Sequence, residues 1–212
     1  METITKIQLS PQETELVTNT EWILAKHSII KKVYAMFGDI NELIKTEAVP
    51  FNYLFPVNIK NQNGKISKGE NYRQLPYVIL DYPAFFEREN IFAIRTMFWW
   101  GNFFSVTLHL SGIFKEQFDY KNPAIFSLLQ KNNFFISVNK NEWEHHFEKD
   151  NYMHAAAISL QQFEKINQKN FLKISKKIAL SRWNETNDFV INSLREIMQL
   201  LQISYQGDKK DL

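Results

Sequence analysis

No cysteine occurs anywhere in the 212-residue sequence, and this absence removes a disulfide framework, Cys-ligated zinc, an iron–sulfur cluster and a thiol nucleophile together. Charge of one sign is lacking too. The 25 Lys and Arg stand against 23 Asp and Glu, a formal +2, so no global field draws the chain towards nucleic acid or an anionic membrane, and neither partner is expected. Long hydrophobic runs are missing: the run at Met97, Phe98, Trp99 and Trp100 is far too short to span a bilayer. Residues 1–10 are acidic and polar without the apolar segment of a secretory signal, so a cytoplasmic location is expected. No internal repeat, low-complexity tract or Pro- and Ser-rich linker divides the chain, which reads as a single domain over residues 1–212.

What the sequence holds in quantity is aromatic surface. With 18 Phe, 8 Tyr and 5 Trp there is more than a core of this size needs, which leaves aromatic side chains to line a pocket or a contact surface.

The ends of the chain read as helical. Ser10, Pro11, Gln12 and Glu13 have the form of a capping box with proline at the first helical position. Leu16, Ile23, Ile30, Val33 and Phe37 then keep a helical stripe up to Gly38, with a second cap near Thr18 to Glu21 that would break the helix in two. Asp39 to Glu42 repeats the cap logic for a short helix before Pro50. At the other end Leu160, Phe163, Asn167, Phe171, Ile174 and Ile178 step by three or four residues and predict one helix after a cap at Ser159. A last helix starts near Thr186, and residues 207–211 read as a frayed tail.

Between them lies a block of strands. Residues 58–73, rich in Asn, Gly and Lys, read as a surface loop; their two glycines lack the Lys and Ser or Thr that a phosphate-binding loop needs. Strands are expected at about 77–81, 91–100, 104–111, 134–138 and 142–147, with a helix over about 123–131. Gly101-Asn102 marks a hairpin between the second and third of these. The fold class is therefore α+β: an antiparallel sheet of four or five strands, packed on one face by helices from about 11–48 and 159–204, its other face partly open.

The register of that hairpin decides which side chains meet. A three-residue turn over residues 101–103 places Arg95 opposite His109 and Met97 opposite Thr107. Ile94, Phe98, Trp100, Phe104, Val106, Leu108 and Leu110 then share an apolar face, and Arg95, Ser105, Thr107 and His109 share the other with Trp99 nearby. A two-residue turn would set Arg95 among aliphatics, a costly burial of an unpaired charge. With Asp81 beside them, these six residues form the candidate ligand site: the guanidinium offers a bidentate fork, hydroxyls and imidazole orient, and the indole gives an apolar wall. The competing reading is an Arg95 paired structurally with Asp81 or Glu87 on an ordinary polar sheet face.

Other clusters carry less chemistry. Glu144, His145, His146, Glu148, Asp150 and His154 are metal-type residues, but adjacent histidines point apart and no H-E-x-x-H pattern occurs, so no metal or other cofactor is expected. No G-x-S-x-G elbow is present. Lys165, Lys169, Lys173 and Lys176, with Lys177 and Arg182, read as a solvated basic stripe opposite the apolar stripe of one helix.

Three functions follow as expectations. The first is a binding module for a small polar or anionic molecule, or for a protein partner, on the polar face of the hairpin. The second is a homo-oligomeric interaction protein using the aromatic hairpin tip or helix faces. The third is an acid–base enzyme in which His109 works with Asp81, Glu144 or Glu148.

Overall fold

The structure, a computed structural model, describes residues 7–55 and 63–207; residues 58–62 of the expected loop and the tail from 208 lie outside the described residues. Two helices open the chain, α1 (Pro11–Thr18) and α2 (Thr20–Ala48). The Ser10 box forms as expected, with Ser10 and Glu13 capping each other, and Asn19 caps α2 by accepting from the Trp22 amide. Helix α2 runs unbroken through Gly38, which corrects the short helix expected after it. The stripe Val33, Phe37, Ile40, Ile44 and Ala48 is buried along its length, and that burial outweighs one glycine's low helix propensity.

Among the described residues seven antiparallel strands follow, not four or five: β1 (Lys65–Tyr72), β2 (Leu75–Phe86), β3 (Ile91–Trp99), β4 (Phe103–Ser111), β5 (Phe135–Ser137), β6 (Tyr152–His154) and β7 (Phe171–Ala179), in the spatial order β1-β2-β3-β4-β7-β5-β6. Between them lie α3 (Ile113–Glu116), α4 (Pro123–Lys131) and α5 (Leu160–Ile166), and α6 (Thr186–Gly207) ends the described chain.

Three expectations are corrected. Residues 65–72 are an edge strand, not a loop. They read as polar because an edge strand faces water, and they reverse at Arg73 and Gln74, whose φ of 50° and 66° give a hairpin turn without the usual Asn-Gly. Residues 171–179 are a strand, not the second half of a helix. A step of four, as from Ile174 to Ile178, satisfies both a period of two and a helical turn, so the spacing alone is ambiguous. The helix stops where the Asn167 side chain donates back to the Phe163 carbonyl. Residues 142–147 are not a strand: β5 takes β6 as its neighbour instead.

The helices cover one face of the sheet. Val78 and Leu80 on β2, Phe92, Ile94 and Phe98 on β3, Phe104 to Leu110 at alternate positions on β4, and Leu172, Ile174 and Ile178 on β7 meet α2 and α6 in one buried core. The other face is not open. Residues 138–151, between β5 and β6, run across it as a roof, so β3 and β4 are buried on both sides even though β4 alternates apolar with polar residues.

Candidate functional site

The hairpin turns through residues 100–102, one position earlier than expected, so Arg95 faces Thr107 and Met97 faces Ser105. The shift is two residues in pairing and preserves parity. Asp81, Arg95, Trp99, Ser105, Thr107 and His109 therefore do share one face, the roofed one. Along that face they are spread out: Trp99 pairs with Phe103 and His109 with Ala93, about 20 Å apart at the usual rise of a strand.

Five of the six make a side-chain contact within this layer. Arg95 makes a two-pronged ion pair with Asp81, its Nε and Nη2 donating at 2.8 and 2.9 Å to the two carboxylate oxygens. Its Nη1 reaches Nε2 of His145 in the roof at 3.4 Å. The Thr107 and Ser175 hydroxyls are 2.7 Å apart across β4 and β7, and the Ser175 hydroxyl donates to the Val106 carbonyl. Ser105 is buried opposite Lys177. Trp99 lies edge-on to Tyr72 and Phe103 in a small apolar cluster with Ile79 and Met97. His109 Nε2 is 2.8 Å from Oε2 of Glu142, so the carboxylate partner is a roof residue and not Asp81, Glu144 or Glu148. Burial holds the His109 pKa down against the pull of Glu142, while the hydrogen bond from His109 lowers that of Glu142; a neutral imidazole donating Nε2–H to a carboxylate satisfies both.

The residue that organises this layer is Lys173, which sequence reasoning placed on a solvated stripe. It faces His109 across the sheet, is 2% exposed, and donates through Nζ to the carbonyls of Glu142 at 2.7 Å and Glu144 at 2.6 Å. Burial, with Arg95 nearby, lowers its pKa to about 7. Tyr72, on the edge strand, supplies the complementary clamp. Its hydroxyl accepts the amides of His145 and His146 at 2.7 and 3.0 Å and donates to Glu144 at 2.9 Å. Burial is the main reason its pKa rises to about 12. His145, pressed against the Tyr72 ring, is held well below the usual histidine range first by burial, then by Lys173 and Arg95.

The roof thus hangs on side-chain hydrogen bonds where a strand would use a ladder. Removing the Tyr72 hydroxyl leaves two partly buried amides without an acceptor, and Tyr72→Phe is expected to lower stability by about 2 kcal/mol. Hydrogen exchange should accelerate selectively at the amides of residues 145 and 146; exchange unchanged there would mean the clamp does not hold the roof.

A signal for Lys173 was present. Read as a strand, residues 171–179 put Leu172, Ile174 and Ile178 on one face and Lys173, Ser175 and Lys177 on the other, in the same alternation as the hairpin. Nothing local marked Tyr72 or Glu142, because their partners are far away in sequence.

At one end the roofed layer opens into a cleft of about 530 Å³ between the β3 and β4 ends, α3 and the turn before β7. Glu142 forms part of its wall together with Arg88, Ser111, Lys115, Lys169 and Phe171, and Glu89 and Glu116 also line it. Lys169 donates to the Ser137 and Asn139 carbonyls and lies 4.4 Å from the Phe171 ring centre; burial lowers its pKa to about 8. Lys115 lies over the Tyr120 ring.

The metal-type residues separate. His145 turns to Arg95, and His154 caps the turn after β6 by accepting from the Ala156 amide. His146, Glu148 and Asp150 do converge, with one ligand-type atom of each within 4.8 Å of the others, but both carboxylates are exposed. Among the described residues no helix is long and apolar enough to cross a membrane. No protein-family model matches this chain, and no curated protein or solved structure matches it either.

Proposed function

We propose that the chain is a binding module for a small polar molecule bearing charged groups of both signs, taken up in the cleft walled by Glu142. The observation that carries this reading is the cleft's makeup: about 530 Å³, with Arg88, Lys115 and Lys169 on one hand and Glu89, Glu116 and Glu142 on the other. A ligand of single charge meets like charge on part of the wall; a zwitterion meets an opposite partner for each group. The Glu142 carboxylate is fixed by His109 behind it, so the anionic contact is preorganised.

The test is a thermal-shift titration with free amino acids and small betaines, since any ligand that prefers the folded form raises the midpoint. Zwitterions are expected to raise it and matched mono-ions to leave it unmoved. Lys115→Gln should reduce the shift about tenfold in ligand concentration while the unliganded midpoint stays put. Zwitterions that move nothing at millimolar concentration would end the proposal.

A second reading is proton transfer on the bound molecule. It draws on the 2.8 Å contact between His109 and Glu142, a base-and-orienter pair with the carboxylate at the cleft wall. Solvent deuterium appearing in a bound zwitterion would select it.

A further inference from the structure

The first described part of the chain touches almost nothing. Residues 7–28 are all exposed, α1 has no buried residue, and α2 meets the core only from Ile29 and Ile30 onward. A helix as short as the eight-residue α1 is marginal in water on propensity alone. Yet this arm carries Leu9, Leu16, Val17, Trp22, Ile23 and Leu24 in exposed positions, and Leu9, Leu16, Val17, Trp22 and Ile23 line an apolar hollow of about 480 Å³ between α1 and α2. Apolar surface gathered this way marks a contact.

The arm's charges say what contacts it. Its acidic residues, Glu13, Glu15 and Glu21, all precede Trp22, and its lysines, Lys26, Lys31 and Lys32, all follow Leu24. Two such arms laid antiparallel place the acidic stretch of each against the basic stretch of the other; laid parallel, they set like against like. The midpoint of the charge pattern falls at Trp22 and Ile23, which puts the largest apolar side chain on the two-fold axis.

The same overlap brings Leu16 and Val17 of one copy near the base of the other copy's arm. There Ile29, Phe98, Trp100, Leu180 and Trp183 line an apolar groove of about 370 Å³. The groove therefore has an occupant of matching chemistry in the arm itself.

We propose that the occupant of the arm is a second copy of this chain, bound through an isologous antiparallel pairing of residues 7–32 centred on Trp22 and Ile23. Sedimentation of the full chain over a range of concentrations tests it, and a reversible dimer is expected. Trp22→Glu should weaken dimerisation about 30-fold or more without changing the thermal midpoint of the body. Reversing the acids (Glu13, Glu15 and Glu21 to Lys) should give a monomer, as should reversing the lysines (Lys26, Lys31 and Lys32 to Glu). Mixing the two variants should restore a heterodimer at low salt.

A wild-type chain that stays monomeric at its highest soluble concentration overturns the proposal, including one that instead binds anionic vesicles. A dimer unaffected by Trp22→Glu overturns the arm as its seat. Reversed-charge variants that fail to pair when mixed overturn the antiparallel arrangement.

Discussion

Asp81→Ala is expected to lose about 3–5 kcal/mol of folding stability, the largest effect of any single substitution on the roofed face. Asp81 and Arg95 are 6% and 15% exposed at the side chain, and the carboxylate takes two of the guanidinium's donors. Without it, a mostly buried cation keeps only the weak 3.4 Å contact to His145 and the Phe86 ring, 5.6 Å away. The pair and its parts should behave differently. Replacing both residues by apolar ones of similar volume removes the charge along with its partner, so the double variant should be markedly more stable than Asp81→Ala. Urea unfolding of the two variants decides it; a double variant no better than the single one would mean that Arg95 contributes mainly by packing.

The second large effect is a dependence of stability on alkaline pH. Lys173 has a folded pKa near 7 against 10.5 for a free lysine. Between these values the unfolded chain holds a proton that the folded chain has released, so the unfolding free energy rises with pH. Below about pH 7 both states are protonated and the full cost of burying the ammonium is present; towards pH 10 it has gone. The gain is on the order of 4 kcal/mol.

Other buried groups bound this window. His109 and His145 titrate below the usual histidine value, so the unfolded state takes up protons first on acidification and stability falls below about pH 6. Tyr72 and Tyr152 have raised values, so the unfolded state loses their protons first and stability falls again above about pH 10. A maximum near pH 9 to 10 is the expected profile, high for a protein of this composition. In Lys173→Met the rise should shrink to the smaller part contributed by Lys169, whose pKa of about 8 starts it a unit later, because methionine does not titrate. A wild-type denaturation midpoint constant between about pH 7 and 10 would show that the Lys173 ammonium is not buried in solution.

These effects come from a layer the sequence displayed only in part. The capping box at Ser10, the cap near Asn19, the helix from Pro123 and the helix from Thr186 were legible because a cap and the turn after it are neighbours along the chain. The hairpin's two faces were legible for a similar reason: side chains alternate with a period of two, so an error of two residues in the pairing left Arg95, Ser105, Thr107 and His109 together. The error did change partners, setting Arg95 against Thr107 instead of His109. The strand at Phe171–Ala179 was hidden by spacing that fits helix and strand alike, and the strand at Lys65–Tyr72 by the polarity of an edge.

By itself, then, the sequence determined the thiol-dependent chemistries that a cysteine-free chain cannot use, the α+β class, and the parity of the central hairpin, all set by composition or by residues a few positions apart. Tertiary structure alone decided that β7 lies beside β4 and brings Lys173 to His109, and that residues 138–151 close over them with Glu142. Those choices depend on which distant segment satisfies the backbone and side-chain hydrogen bonds of the central strands. That is a competition among all the segments of the chain, and no local pattern records its outcome.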